Sequence, residues 1–335
     1  MRWSLPSDEQ RKSLCWKKPL FRKAQDVAQT AQEAFLCRDE SRCSQESLCS
    51  QNDESIRRQN DESMRRQKSM RSKGDVIKQQ APVSSSTGPV TRPVVAPDLS
   101  RLSLTQLHAM HHAGLEILEC YRVLKKSGLN IVGEVLRDSL NKGETFYEFN
   151  HYPDDDVYDR ETHAQYYYHA HRSVVGEHGH FHTFLRPKGM PSGIAPLNFP
   201  ATAPWPKGDE ALSHLLAIAM DSYGYPTNLF TVNRWVTAEA WYPAEQVIRM
   251  LDNFVIDHAF PSWPVNRWIS SMFVLYRPQI EYLLRQRDAT IWTWAAEHPG
   301  KEVFEDRMLD VTSHLSISVE ETLGEIEQLI AAKRV

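Results

Sequence analysis

Five of the fourteen histidines in this 335-residue chain fall in one short stretch, QYYYHAHRSVVGEHGHFHTFLRP, residues 165–187. Imidazole can ligate a divalent metal, move a proton or act as a nucleophile. Which of these a cluster performs depends on whether its rings converge. The stretch predicts a β-hairpin turned at Ser173–Glu177. Strand side chains alternate faces. Tyr167, His169 and His171 therefore share one face of the first strand, and His178, His180, His182 and Phe184 share one face of the second. Directly opposed residues of an antiparallel pair lie on the same side of the sheet. One register sets His171 against His180 and His169 against His182. A register two residues tighter sets His171 against His178. In both, all five imidazoles point to one side.

Such a face carries its own electrostatic problem. Partly protonated imidazoles repel one another, and buried neutral ones need hydrogen-bond partners. A bound cation, or an acidic neighbour such as Glu177, removes the difficulty. The expectation is a divalent metal (Fe, Mn or Zn) with His169, His171, His178, His180 and His182 as candidate ligands. Glu177 is a ligand or general base, and Glu177 and His180 are the candidate catalytic residues. Three imidazoles, or two and a carboxylate, leave a coordination position open for hydrolytic or oxygen chemistry. Tyr166, Tyr167 and Tyr168 are expected to line the pocket, and a small molecule to be its substrate. A non-catalytic module that senses metal or pH is the alternative from a different class.

Three resemblances bear on this block. HAHRSVVGE resembles the first cupin motif, which implies a metal held by His169, His171 and Glu177 with a third imidazole from His180 or His182. HGHFHTF, residues 178–184, resembles the histidine-triad motif. That resemblance implies a nucleotide hydrolase with His180 as nucleophile and His178 and His182 beside it. NRWVT, EHGHFHTFLRPKGMP and TFYEFNHYP together resemble a bacterial family of unknown function over roughly residues 104–290, which implies one domain and carries no activity.

The elements around the hairpin come in antiparallel pairs flanked by helices. Ser103 caps a helix to about Ser127, with Leu104, Leu107, His111, Leu115, Leu118 and Leu124 as its inner stripe and Gly128 as its stop. His108 and His112 form a polar helix edge. A second helix covers 130–140. TFYEFN, residues 145–150, reads as a strand, and HYPDDDVYDRETH after it as a solvated acidic loop. A long Pro- and Gly-rich loop, residues 186–206, follows the histidine hairpin. A second hairpin pairs 212–221 with 227–237, with His214 on the core face beside Leu216, Ile218 and Met220. Further helices open at Pro243 and Ser262, the latter divided at Pro278. The last helix follows the capping box of Ser318 and Glu321. A short repeat, VNRWVT at 232–237 and VNRWIS at 265–270, places Arg234 and Arg267 in expected salt bridges with Asp252, Asp257 or Glu239. The pattern predicts an α+β fold, an antiparallel sheet built from hairpins with helices packed on one face.

Composition divides the chain in two. Residues 1–97 carry 18 Lys+Arg and 12 Asp+Glu, and residues 98–335 carry 21 and 31. The first part holds an octad repeat, QNDESIRR then QNDESMRR, too poor in apolar residues to offset the entropy of ordering. It is expected to be a disordered tail. Residues 98–335 are expected to form one globular domain. Its acidic balance speaks against nucleic acid as a partner. The chain contains no apolar run of membrane-spanning length, so no membrane partner is expected. Cys15, Cys37, Cys43 and Cys49 lie in the tail and only Cys120 lies in the domain, a distribution that suits a cytoplasmic setting. The oligomeric state is left open.

Overall fold

The computed structural model describes residues 97–141, 147, 150–170, 174 and 176–334. All belong to one compact unit, Thr87–Val335. The predicted tail and His171 lie outside the described residues, as does most of the predicted strand at 145–150.

The fold is α+β, as the hairpin pattern predicts. Six strands form one antiparallel sheet in sequence order: β1 (Tyr152–Tyr158), β2 (Ala164–His169), β3 (Gly179–Leu185), β4 (Ser213–Met220), β5 (Pro226–Val232) and β6 (Val311–Ser316). The helices are α1 (Leu104–Lys126), α2 (Ile131–Asn141), α3 (Arg234–Thr237), α4 (Ala244–Met250), α5 (Trp263–Leu275), α6 (Arg277–Glu297) and α7 (Val319–Ala332). No described helix is long and apolar enough to cross a membrane.

One face of the sheet presents Tyr166, Tyr168, Phe181, Leu216, Ile218 and Leu229 to the main core, which they share with side chains of α1, α5 and α7. The contact is fixed by polar staples as well as by apolar burial. Tyr166 donates from its hydroxyl to Asn266 Oδ1 at 2.6 Å, and the amide of this buried Asn266 donates to the carbonyls of His258 and Phe260. Asn233 occupies the same place in the other VNRW copy. It is also buried, donates to the Val303 carbonyl at 2.8 Å, and caps α3 through the Arg234 N–H. The repeat thus supplies two satisfied interior amides in unlike elements. Its arginines do form ion pairs, but with other partners than expected: Arg234 with Glu305 and Arg267 with Glu116.

Ser103 caps α1 with a complete capping box to Gln106. The inner stripe differs from the expected one. Leu107, Met110, Ala113, Gly114, Ile117, Cys120 and Leu124 face inward, while Leu115 is 48% exposed. A Cβ at Gly114 would collide with the Leu323 side chain of α7. The two helices approach through small residues, so the stripe is centred on Ala113 and Gly114 rather than on the leucines.

The acidic segment is a strand and not a loop. Among the described residues β1 is an edge strand, which turns Asp154 and Asp155 to water and buries Val157. Outward charge on an edge strand blocks further strand addition. β6, the opposite edge, is an element the sequence pattern does not announce. It pairs with β5 from Asn228↔Ser316 to Val232↔Val311. The 186–206 loop places Leu197, Phe199 and Trp205 on a separate cluster of Trp241, Ile291, Val303, Phe304 and Leu309.

Asp159 secures the β1–β2 turn. Its Oδ1 accepts the Glu161 and Thr162 N–H groups, and its Oδ2 accepts that of Asp257 at 2.9 Å. Burial pushes the carboxyl up, but the N–H groups of Asp257, Thr162 and Glu161 outweigh it and hold it below the ordinary carboxylate value. A carboxyl whose folded-state pKa is depressed stabilises the fold above its unfolded pKa of about 3.9, and that stability is lost as pH falls through the folded value. Asp159→Asn is expected to lower stability by about 1–3 kcal/mol at neutral pH. In urea titrations the gap from wild type should close as pH drops below about 4.

Candidate metal centre

The centre lies on the sheet face opposite the main core. β2 and β3 adopt the tighter register, with His169 against His180, Tyr167 against His182 and Tyr168 against Phe181. On the other side of β3, His180 faces Ala219 and His182 faces Ala217. These small neighbours leave room above β4, which Phe230 of β5 bounds with its ring 5.3 Å from His180. His169, His180 and His182 are all buried, at 8%, 1% and 1% exposure. One ring nitrogen of each lies within 4.8 Å of the other two. The rings meet edge to face, with centroids 4.5, 5.0 and 4.9 Å apart.

Hydrogen bonds tie the rings to one another and to Glu177. Glu177 Oε1 accepts from His180 Nδ1 at 2.7 Å. His180 Nε2 lies 2.8 Å from His169 Nε2, so the two nitrogens share one proton. His182 Nδ1 and His214 Nε2 are 2.9 Å apart. His182 Nε2 is buried with no hydrogen-bond partner. Burial, then the neighbouring His180, His214, His169 and His151, hold His182 well below the ordinary imidazole value. Burial, with Arg287 and His180, brings His214 down to about 3. Both rings are neutral near pH 7, the form in which imidazole ligates metal.

Two histidines are placed otherwise than the alternation predicts. His178 precedes β3 and turns its ring to the core side, where its Nδ1 lies 2.7 Å from the Tyr168 hydroxyl. It does not share the face of His180 and His182. The residue between them is Gly179, where a Cβ would lie 2.5 Å from the Tyr168 hydroxyl oxygen and 2.6 Å from the His169 carbonyl oxygen. His214 is displaced in the opposite sense, from the core face to the histidine face. A β-bulge makes Thr183 pair with Leu216 while the next residue, Phe184, pairs with His214, so Leu215 is the extra residue. The Thr183 hydroxyl bridges the irregularity, donating to the Leu216 carbonyl at 2.6 Å and accepting its N–H at 3.2 Å. The His214 N–H is taken by the buried carboxyl group of Glu239, whose pKa burial pushes up to about 8 against Arg287 and Arg234.

His151 and Glu239 are members of this surrounding that the sequence reading leaves out. The His151 ring stacks on Tyr167 at 3.6 Å and 8°, edge-on to His169. Its Nδ1 is 2.9 Å from Asp156, whose other oxygen accepts from Gln165 at 2.6 Å. With 36% of its side chain in water, His151 is the solvent side of the constellation. Of the tyrosines expected to line the pocket, Tyr167 does so, while Tyr166 and Tyr168 point into the core. His108 and His112 lie on the exposed edge of α1.

The bulge gives a direct test. Thr183→Val keeps the shape and removes the hydroxyl that serves both backbone groups of Leu216. Stability is expected to fall by about 1–3 kcal/mol. Denaturation by urea measures the loss, and the His214 ring resonances should shift with it.

Residues 111–317 match the family described as Domain of unknown function (DUF6969). No curated protein and no solved structure matches the chain. The match spans more than half of the chain and takes in the whole sheet and every histidine of the cluster, so the chain belongs to the DUF6969 family.

Proposed function

We propose that His169, His180 and His182 hold one divalent transition metal (iron, manganese or zinc) and that the centre is the site of a metal-dependent enzyme of hydrolytic or oxygenase type acting on a small molecule. The observation that carries this reading is the buried, unpartnered Nε2 of His182, set beside two further ring nitrogens within metal-ligand reach. A desolvated nitrogen without a partner is costly, and a cation satisfies it. The donor set suits all three metals. Tetrahedral donors at 2.0–2.1 Å from a metal stand about 3.3 Å apart. The 2.8 Å separation of His169 Nε2 and His180 Nε2 spans one shared proton, which a metal would replace with a small spreading of the two rings.

When bound, the metal supplies Lewis acidity and a coordination position for a water or substrate atom. The rest is done by the chain. Glu177 holds the His180 ring by its Nδ1 and raises the basicity of its Nε2. His214 does the same for His182 without adding charge. Tyr167 packs against His169 and His182 and keeps water from their faces. His151, oriented by Asp156, is the polar group through which a ligand meets the centre from water. The single domain cysteine, Cys120, is buried and unpaired, which fits a cytoplasmic setting.

The burial of all three rings supports a chelating centre over an accessible sensing surface. The histidine-triad reading has less support. Both ring nitrogens of His180 are engaged, and His178 belongs to Tyr168.

Metal content by mass spectrometry, on protein purified without a nickel column, tests the proposal. Wild type should carry about one metal per chain. His180→Ala/His182→Ala should carry none, and His178→Ala should match wild type. Absence of iron, manganese and zinc even after reconstitution, or equal loss in the His178→Ala variant, would overturn the reading.

A further inference from the structure

The histidine face continues beyond Phe184 as a row of polar side chains. Cross-strand pairs set Tyr158 beside Gln165, Gln165 beside Phe184 and Phe184 beside His214. Gln165 therefore shares the face of Tyr167 and His169. Arg186, one residue past β3, is drawn onto this row, because its Nε–H donates to Gln165 Oε1 at 2.7 Å. The Gln165 amide donates in turn to Asp156 at 2.6 Å, and the other oxygen of Asp156 lies 2.9 Å from His151 Nδ1. His151 stacks on Tyr167 and meets His169 edge-on. One hydrogen-bonded chain thus runs from Arg186 to the margin of the histidine cluster.

Arg186 is held in place but not neutralised. Its guanidinium carbon lies 5.3 Å over the Tyr158 ring, whose hydroxyl is bonded to His163 Nδ1. Its two terminal nitrogens make no hydrogen bond or ion pair among the described residues, although the side chain is only partly exposed. Asp156 does not answer it, since the Gln165 amide stands between them and His151 takes the other oxygen. Arg234, Arg267, Arg277, Arg285 and Arg287 each meet a carboxylate. A guanidinium fixed at its Nε and over its face presents the remaining N–H groups as a preset fork, the geometry that receives the two oxygens of a carboxylate. One positive charge matches a monoanion. Lys188, the nearest basic residue in sequence, is engaged by Asp209 at 3.0 Å.

We propose that the substrate of the metal centre carries a single carboxylate, held by the Arg186 fork while the reacting group lies at the metal. This rests on His169, His180 and His182 being the metal ligands. The chain advances four residues from His182 to Arg186, about 13 Å at the strand rise, so the substrate is elongated. Its reacting end reaches the metal past His151, the water-exposed member of the constellation.

Binding of dicarboxylate monohydroxamates to the metal-loaded full chain tests it, with metal content measured on each sample. The hydroxamate is a probe for the metal and the free carboxylate a probe for Arg186. The series from succinic to sebacic acid brackets the separation, and the methyl ester of each compound is the control. By titration calorimetry, at least one chain length should bind about tenfold more tightly as the acid than as the ester, the size of a charge-assisted hydrogen-bonded pair. Arg186→Gln should keep its metal and bind acid and ester alike. His180→Ala/His182→Ala, which lacks the metal, should bind neither. Equal or absent binding of acid and ester at every length by metal-loaded wild type, or an acid preference that survives Arg186→Gln, would overturn the carboxylate assignment and leave the metal centre standing. Failure of wild type to hold iron, manganese or zinc would overturn both.

Discussion

The site depends on one pairing, His169 against His180 across β2 and β3. That register puts two imidazole nitrogens within hydrogen-bond distance and brings His182 alongside. A shift of one residue would send every side chain of one strand to the other face. It would move Tyr168 out of the core and His169 into it, and neither exchange is tolerable. The core side therefore enforces the register. Tyr166 bonded to Asn266, and Tyr168 packed on Phe181 with its hydroxyl on His178, admit only one alignment. The polar face inherits its geometry from the apolar one.

The same sheet thus has two characters. One face is filled by large aromatic and aliphatic side chains and sealed by helices. The other alternates imidazoles with alanines, so that ring size on β3 is matched by its absence on β4. Burial makes the His182 and His214 rings neutral, and a buried neutral ring depends on directed partners. Glu177 serves one ring and His214 another. The price is local irregularity, a bulge at Leu215 that a threonine hydroxyl and a buried glutamate have to satisfy.

What could be read from the sequence follows from how local each signal is. Ser103, Pro243 and Pro278 mark helix ends by chemistry confined to a few residues, and those ends stand where they mark them. The convergence of His169, His180 and His182 follows from alternation alone. The failures are those of a rule applied where its premise lapses. Alternation assumes regular strand, but His178 precedes β3 and His214 sits beyond a bulge. The spacing of Leu104, His111, Leu115 and Leu118 points to another stripe of α1 than the buried one, because close packing against Leu323 requires Ala113 and Gly114. The acidic run looked like a loop because an edge strand carries its charge outward. His151 joins the site only through its stack on Tyr167, a tertiary contact with no mark in the local pattern.

The order of the strands has a consequence for synthesis of the chain. β1 to β5 follow one another as a meander, each able to pair as soon as its neighbour exists. β6 arrives only after the long excursion from Asn233 to Asp310 through four helices. Until then a nascent chain presents the open hydrogen-bonding edge of β5, with Phe230 beside the histidine cluster, to whatever is near. A complete domain is charged at its β1 edge and covered at β5, while a partly made one is protected only at β1. Contacts this distant in sequence form slowly. The interval before β6 docks is when a ribosome-bound copy is most open to pairing with a neighbour.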